Sequence, residues 1–406
     1  MTPSEAQEIE DAHYARYYAR KPVTIVRGRG ALLYDDKDKD YVDCTGAYGA
    51  CIVGHAHPKV AQTISDQAKK LIACHGSTYN DTRAHFVSKL SAILPSELNR
   101  LFLTNSGAEA IECAIKVARK ATGRRKIVAI KGAFHGKTHG ALSATWDAKY
   151  RKDFEPLLPD FIHIPFNNGE TAKETITNDT AAVLLEPIQG EGGVRVPSKE
   201  WVALLSDLIH DAGGLLVADE IQTGFGRTGK MFAGEHMGVR PDILCLGKGI
   251  ASGLPIGVTA APDETMSTLS VGEHTTTFGG NPVVCASGSA TIDVLLEERL
   301  VDNAAKVGEY FKASLQRLMG KHRIMREVRG LGLMLAAETR FDVHEILANA
   351  LNEGVLILDA GRNILRFLPP LCIQVNQVER VVATLDRVLE KEELARLPSS
   401  TTASHA

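Results

Sequence analysis

No apolar run in this sequence approaches the roughly 18 residues that a membrane span needs, so no transmembrane helix is predicted. The opening residues, Met1-Thr-Pro-Ser-Glu-Ala-Gln-Glu8, are polar and acidic and lack the apolar stretch of a signal peptide. Neither sign of charge dominates: 46 Lys and Arg stand against 49 Asp and Glu, a net charge near −3. No basic patch stands out, which argues against nucleic acid as a partner. The 7 cysteines, at 44, 51, 74, 113, 245, 285 and 372, form no Cys-x-x-Cys. Several lie inside apolar runs and read as buried free thiols, so a reducing, cytoplasmic setting is expected. The only close pair of possible metal ligands is His55-x-His57, in what reads as the turn Gly54-His-Ala-His-Pro58, so no metal is expected. There are no internal repeats.

What the chain does have is alternation. Its 44% hydrophobic content over 406 residues can bury a sizeable core, in one large domain and a smaller one. Residues 1–20 read as a helical arm carrying Tyr14, Tyr17 and Tyr18, and residues 22–45 as a small antiparallel set. From about 50 to 285, strand and helix patterns alternate, predicting an α/β unit with a mostly parallel sheet. Strands are expected at 101–104, 126–130, 161–164, 181–185, 215–218, 243–246 and 256–260. From about 286 the character changes: helical patterns flank Gly330–Glu338, Gly354–Asp359 and Ile364–Leu368. A last helix should open at Asn376, with Glu379 as its capping partner. The resulting divisions are 1–48, 49–285, 286–395 and a disordered tail, 396–406.

Two of the apolar runs end in ionisable residues. Gly214-Leu-Leu-Val-Ala-Asp219 delivers a carboxylate and Asp242-Ile-Leu-Cys-Leu-Gly-Lys248 an amine, at strand ends where open α/β sheets place their ligands. That pair suits pyridoxal 5'-phosphate: the lysine condenses with the aldehyde, and the carboxylate keeps the pyridine nitrogen protonated. Other candidate segments also follow strands. Thr104-Asn-Ser106-Gly107-Ala108-Glu109 opens a helix and could meet an anion with its first amides. Ala133-Phe134-His135-Gly136-Lys137 places an aromatic ring and a cation at the same sheet edge; Glu186-Pro-Ile-Gln-Gly-Glu191 and His274-Thr-Thr-Thr277-Phe-Gly-Gly-Asn281 complete the set. The segment Gly224-Phe-Gly226-Arg227-Thr-Gly229-Lys230 imitates a nucleotide loop. However, Met231 stands where Ser or Thr should hold magnesium, and no helical pattern opens at the third glycine.

In this order, over roughly residues 15–390, these motifs resemble the class III pyridoxal-phosphate aminotransferases, the acetylornithine, ornithine, GABA and putrescine group. The resemblance implies a fold-type I architecture: a large domain with a mostly parallel sheet, and a small α+β domain built from the N- and C-terminal segments. It implies that Lys248 holds the cofactor and shuttles a proton, that Asp219 bonds the ring nitrogen and that Gln222 bonds the ring hydroxyl. Phe134 and Ile221 would sandwich the ring, and Ser106, Gly107 and Ala108 would cradle the phosphate. Thr277 would reach the phosphate of a neighbouring subunit, making the active unit a homodimer.

The resemblance also implies substrates. A terminal amine, from an ornithine, lysine or N-acylornithine type of donor, would pass to 2-oxoglutarate and give a semialdehyde and glutamate. Arg366 would bind the α-carboxylate of the second substrate, and Glu191 would pair with Arg366 while the donor is bound. Tyr18 and Tyr48 would line the entrance. Lys137 departs from the arginine usual in acetylornithine, ornithine and GABA enzymes and matches putrescine aminotransferases, whereas Asn363-Ile-Leu-Arg-Phe-Leu-Pro-Pro370 matches the acetylornithine and carrier-bound branch. Putrescine or GABA transamination, and a class III isomerase, remain the alternatives.

Overall fold

The computed structural model describes residues 3–397, so most of the tail expected to be disordered, from Pro398, lies outside the described residues. Seven strands form the main sheet, in the order Arg100–Thr104, Gly257–Ala261, Ile243–Leu246, Leu215–Asp219, Thr180–Leu185, Lys126–Ile130 and Phe161–Ile164. Gly257–Ala261 runs antiparallel to both neighbours, and every other pairing is parallel. Thr180–Leu185 and Ile243–Leu246 are buried throughout, because helices cover both faces of the sheet. The period of two decides which face each residue joins. Ile127 and Ala129 pack with helix Gly107–Thr122, whereas Val128 and Ile130 pack with helix Lys199–Asp211. Each such Val, Leu or Ile contributes roughly 1.5–3 kcal/mol by leaving water.

Two smaller sheets flank the main one. Ile25–Arg29, Leu32–Asp35 and Asp40–Asp43 form the expected antiparallel set. Its fourth strand, Val355–Leu356, comes from the far end of the chain and pairs in parallel with Asp40–Asp43, Val355 opposite Val42. The other sheet has the order Met325–Leu331, Met334–Thr339, Ile364–Phe367, Leu358–Asp359, all antiparallel.

Within Gly330–Glu338, Gly332, at φ +54, turns the chain between two strands of a hairpin. Two local expectations need correction. Tyr14, Tyr17 and Tyr18 are not helical, since the first helix ends at His13. The last helix spans Val375–Arg396, so it starts ahead of Asn376; the side chain that reaches back is that of Gln377, which accepts from the Gln374 amide at 2.9 Å. Among the described residues, no helix is long and apolar enough to cross a membrane, and no group of His, Cys, Asp and Glu could hold a metal ion.

Candidate active site

The parallel strands of the main sheet end together, and the ionisable residues gather at those ends. Asp219 closes its strand with 4% of its surface exposed. Its Oδ2 accepts from His135 Nδ1 at 2.7 Å, and its Oδ1 accepts from the Ile221 amide at 3.0 Å. Two donors therefore fix the carboxylate from opposite sides. The adjacent Glu220 is turned elsewhere, accepting from the Ala233 and Gly234 amides and from Thr223.

Behind this pair sits Glu186. Its two oxygens accept from the Phe134 amide at 3.0 Å and the Gly190 amide at 3.1 Å, so one carboxylate ties together the loops carrying Phe134 and Glu191. Burial pushes its carboxyl up to about 7; His135 opposes that shift, and Asp219 adds to it.

Lys248 opens the short turn Lys248–Ala251 at φ +44, a left-handed conformation that a residue with a side chain rarely adopts. Such a backbone costs on the order of 1–3 kcal/mol and collects at working sites. Its amine makes no hydrogen bond or ion pair within 4.0 Å among the described residues. Burial lowers its pKa, against the pull of Glu191 and with a push from Arg366, and so favours the neutral amine that attack on a carbonyl requires.

Between Asp219 and the helix that begins at Gly107 lies an apolar wall. A Cβ on Gly107 would sit 2.8 Å from Ile221 Cδ1, so only glycine lets the helix start this close to Ile221. Ser106 caps the helix by accepting from the Glu109 amide at 3.2 Å. The amides of Gly107 and Ala108, in the first turn, have no intrahelical acceptor and are free for an anion. Gln222 is packed against Gly190, and its buried Oε1 has no hydrogen-bond partner.

Across the site, Arg366 projects from the strand Ile364–Phe367, fully buried. Its Nη1 donates to Glu191 Oε1 at 2.6 Å, and its Cζ lies 5.8 Å from the centre of the Tyr48 ring. Burial works against the Glu191 charge, but Arg366, then Lys248 and Lys149, outweigh it and hold the carboxyl below its usual range. Tyr48 is about half exposed and stands at φ +58 beside Ala47 at φ +51, a left-handed pair between Gly46 at φ +50 and Gly49 at φ +87. Lys137 is exposed, with its amine 5.1 Å from the centre of the Tyr150 ring. That ring meets Phe134 edge-on at 5.3 Å.

Two expected site residues are not brought in. Tyr18 is exposed and stacks on Tyr14 at 6.2 Å, and among the described residues its side chain makes no hydrogen bond to the site. Thr277 is exposed on the loop before helix Pro282–Glu297, and its side chain makes no hydrogen bond among the described residues. Conversely, His135, Glu186 and Tyr150 belong to the site without having been assigned a role. The first two lie inside the flagged segments, but only the fold shows which way they point.

The model of the family "Aminotransferase class-III" matches residues 13–389. The chain is a class III aminotransferase. It is 40% identical to an acetylornithine aminotransferase of Methanopyrus kandleri, over 94% of this chain and 98% of that one. It is 42% identical to a [LysW]-aminoadipate semialdehyde transaminase of Deinococcus radiodurans, over 96% and 91%. Its fold superposes on the ornithine aminotransferase of Toxoplasma gondii ME49 with a TM-score of 0.93 at 31% identity, covering 98% and 97%.

Class III aminotransferases use pyridoxal 5'-phosphate, and the residues present fit that group. A free amine, a fixed carboxylate, a buried amide oxygen without a partner and a helix start whose first amides, at Gly107 and Ala108, lack an intrahelical acceptor gather around the apolar wall of Ile221.

Proposed function

We propose that this aminotransferase takes the terminal amino group of an N-acylornithine, ornithine or lysine type of donor and passes it to 2-oxoglutarate. The observation that carries this reading is the 2.6 Å pair of Glu191 with the buried Arg366. An enzyme that alternates between a donor reacting at its far end and an acceptor reacting beside its α-carboxylate needs an arginine that can be covered and uncovered. Leaving the buried Arg366 guanidinium without a carboxylate is costly, which favours exchanging Glu191 for a substrate carboxylate over standing alone. Relatives named for acetylornithine and for [LysW]-aminoadipate semialdehyde, at about 40% identity over nearly the whole chain, support the donor class.

The cofactor supplies an aldehyde that captures amines and a ring that withdraws electrons from the substrate carbon. Lys248 would hold the aldehyde carbon, and its Nζ, once released and neutral, would carry the proton between substrate and cofactor carbons. Asp219, oriented by His135, would hold the proton on the ring nitrogen. Gln222 Oε1 would meet the ring hydroxyl. Phe134 and Ile221 would exclude water from the two ring faces, and Ser106, Gly107 and Ala108 would take the phosphate. Thr277, exposed and unengaged, suits a reach toward a neighbouring subunit's phosphate, and hence a homodimer. The strand pairing of Val355 with Val42 supports a small domain built from both ends of the chain.

The test is a panel of amines incubated with 2-oxoglutarate and read as glutamate formed. N-acetylornithine, ornithine or a lysine derivative should lead; putrescine or GABA in the lead would reject this donor class.

Two substitutions probe substrate choice. Glu191→Ala leaves Arg366 without its partner, so α-carboxylates should bind in either half-reaction. The ratio of kcat/KM for glutamate to that for the ω-amine donor should rise by about tenfold or more, roughly 1.4 kcal/mol. An unchanged ratio would remove the gating role from Glu191.

At position 137, an arginine fork could hold a donor carboxylate bidentately where lysine offers a point charge. Lys137 is exposed, so the gain should be near the surface value of about 1 kcal/mol, roughly fivefold. Lys137→Arg is therefore expected to raise kcat/KM for acetylornithine relative to putrescine. A ratio that stays put would show that residue 137 does not set donor choice.

A further inference from the structure

The glycine-rich segment 224–230 takes no part in the chemistry above, yet at its centre Arg227 is fully buried and meets no carboxylate within 4.0 Å among the described residues. Its Nη1 donates to two carbonyls, Leu333 O at 3.1 Å and Pro369 O. Its Nε and Nη2 have no hydrogen-bond partner. Burial pushes the guanidinium down to about 10, with Cys51 and Asp43 pulling the other way. A charge held at such expense in a dry junction calls for an explanation beyond packing.

The explanation lies in what the two carbonyls belong to. Leu333 is in the hairpin turn of the C-terminal sheet, and Pro369 lies two residues beyond the strand that carries Arg366. The Leu333 amide returns a bond to Arg227 O at 2.9 Å. Contact there is close: a Cβ on Gly332 would lie 2.3 Å from the Thr228 carbonyl carbon. Among the described residues the segment after Arg366 is also held by the backbone bonds Leu368 N to Cys44 O and Leu371 N to Ile52 O, both 2.8 Å, and by the Asn303 side chain, which donates further along to Leu371 O and Ile373 O. Among the described residues, Arg227 is thus the side chain that holds Pro369, nearest to Arg366, and ties it to the loop beyond Asp219.

Arg366 needs such a tie. Among the described residues its guanidinium hydrogen-bonds only to Glu191, and its Nε has no partner. When Glu191 gives way to a substrate carboxylate, the place of the guanidinium depends on where its strand ends.

We propose that Arg227 is a positioning residue for Arg366, clamping the Pro369 carbonyl so that the α-carboxylate site keeps its place after Glu191 releases it. The proposal rests on the assignment of Arg366 to the α-carboxylate. It predicts a loss confined to one half of the reaction. Arg227→Met, which removes the clamp, should raise KM for 2-oxoglutarate and glutamate by about tenfold, and KM for the ω-amine donor by no more than about twofold. Arg227→Lys can reach one carbonyl but not two, and should give a smaller, equally selective rise of about threefold.

The experiment measures KM and kcat for both substrates in the holoenzyme, with Arg366→Gln alongside. A selective rise in KM for the α-carboxylate substrates, partly rescued by lysine, supports the clamp. If Arg227→Met does not fold, the selectivity of Arg227→Lys decides alone. Parallel losses in both half-reactions, or a lower melting temperature with both KM values unchanged, would reduce Arg227 to a structural staple and overturn the proposal. If Arg366→Gln raises KM for 2-oxoglutarate while the Arg227 variants do not, the clamp fails and the Arg366 assignment stands. If Arg366→Gln itself leaves that KM unchanged, the assignment and the clamp both fall.

Discussion

Lys248→Ala is expected to abolish turnover and the visible absorbance of the bound cofactor while leaving the fold intact. The fold should persist because the Lys248 amine makes no hydrogen bond or ion pair among the described residues, so its removal leaves no partner stranded. The methyl group of alanine also lightens the desolvation cost that depresses the lysine pKa. What alanine cannot do is form a covalent link to an aldehyde or carry a proton, and both roles fall to this one nitrogen. Turnover should therefore fall by orders of magnitude rather than by the modest factors of the substrate-binding changes. In the wild type, borohydride should fix the cofactor to the peptide containing Lys248; labelling of another lysine would refute the assignment.

Asp219→Asn should show the next largest loss. The amide oxygen can still accept from the Ile221 amide or from His135, so the local structure should hold. The charge is what disappears, and with it the means to keep the ring nitrogen protonated. Removing one preorganised electrostatic partner from a dry site typically costs roughly 2.7–4 kcal/mol, or about a hundred- to a thousandfold in kcat. Measured kcat with saturating donor and 2-oxoglutarate checks it. Near-normal turnover would mean that another group holds the ring nitrogen.

Much of this site was legible because parallel strands report their own ends. An apolar run that stops at Asp219, Lys248, Glu186 or Thr104 marks a sheet edge, and all four residues lie at or beside the expected strand ends. Contacts between distant segments were less legible. Glu191 and Arg366 are far apart in sequence, and only a family resemblance paired them; no spacing rule could. The parallel pairing of Val355 with Val42 is invisible to local patterning for the same reason. The left-handed backbone at Ala47, Tyr48 and Lys248 falls on residues with side chains between glycines, and their own residue types do not predict it, since tertiary packing imposes it. Arg227 shows the opposite problem: its glycine loop imitates a phosphate-binding motif, while the fold turns its guanidinium onto backbone carbonyls.

The central claim is that this chain transfers a terminal amino group by two separable half-reactions, and a single-turnover measurement tests it most directly. The holoenzyme is mixed with N-acetylornithine in the absence of 2-oxoglutarate, and free semialdehyde is counted against active sites. The account predicts one equivalent released and then arrest, followed by one equivalent of glutamate when 2-oxoglutarate is added. A donor returned racemised or rearranged, with no semialdehyde released and no glutamate formed on adding the acceptor, would contradict it.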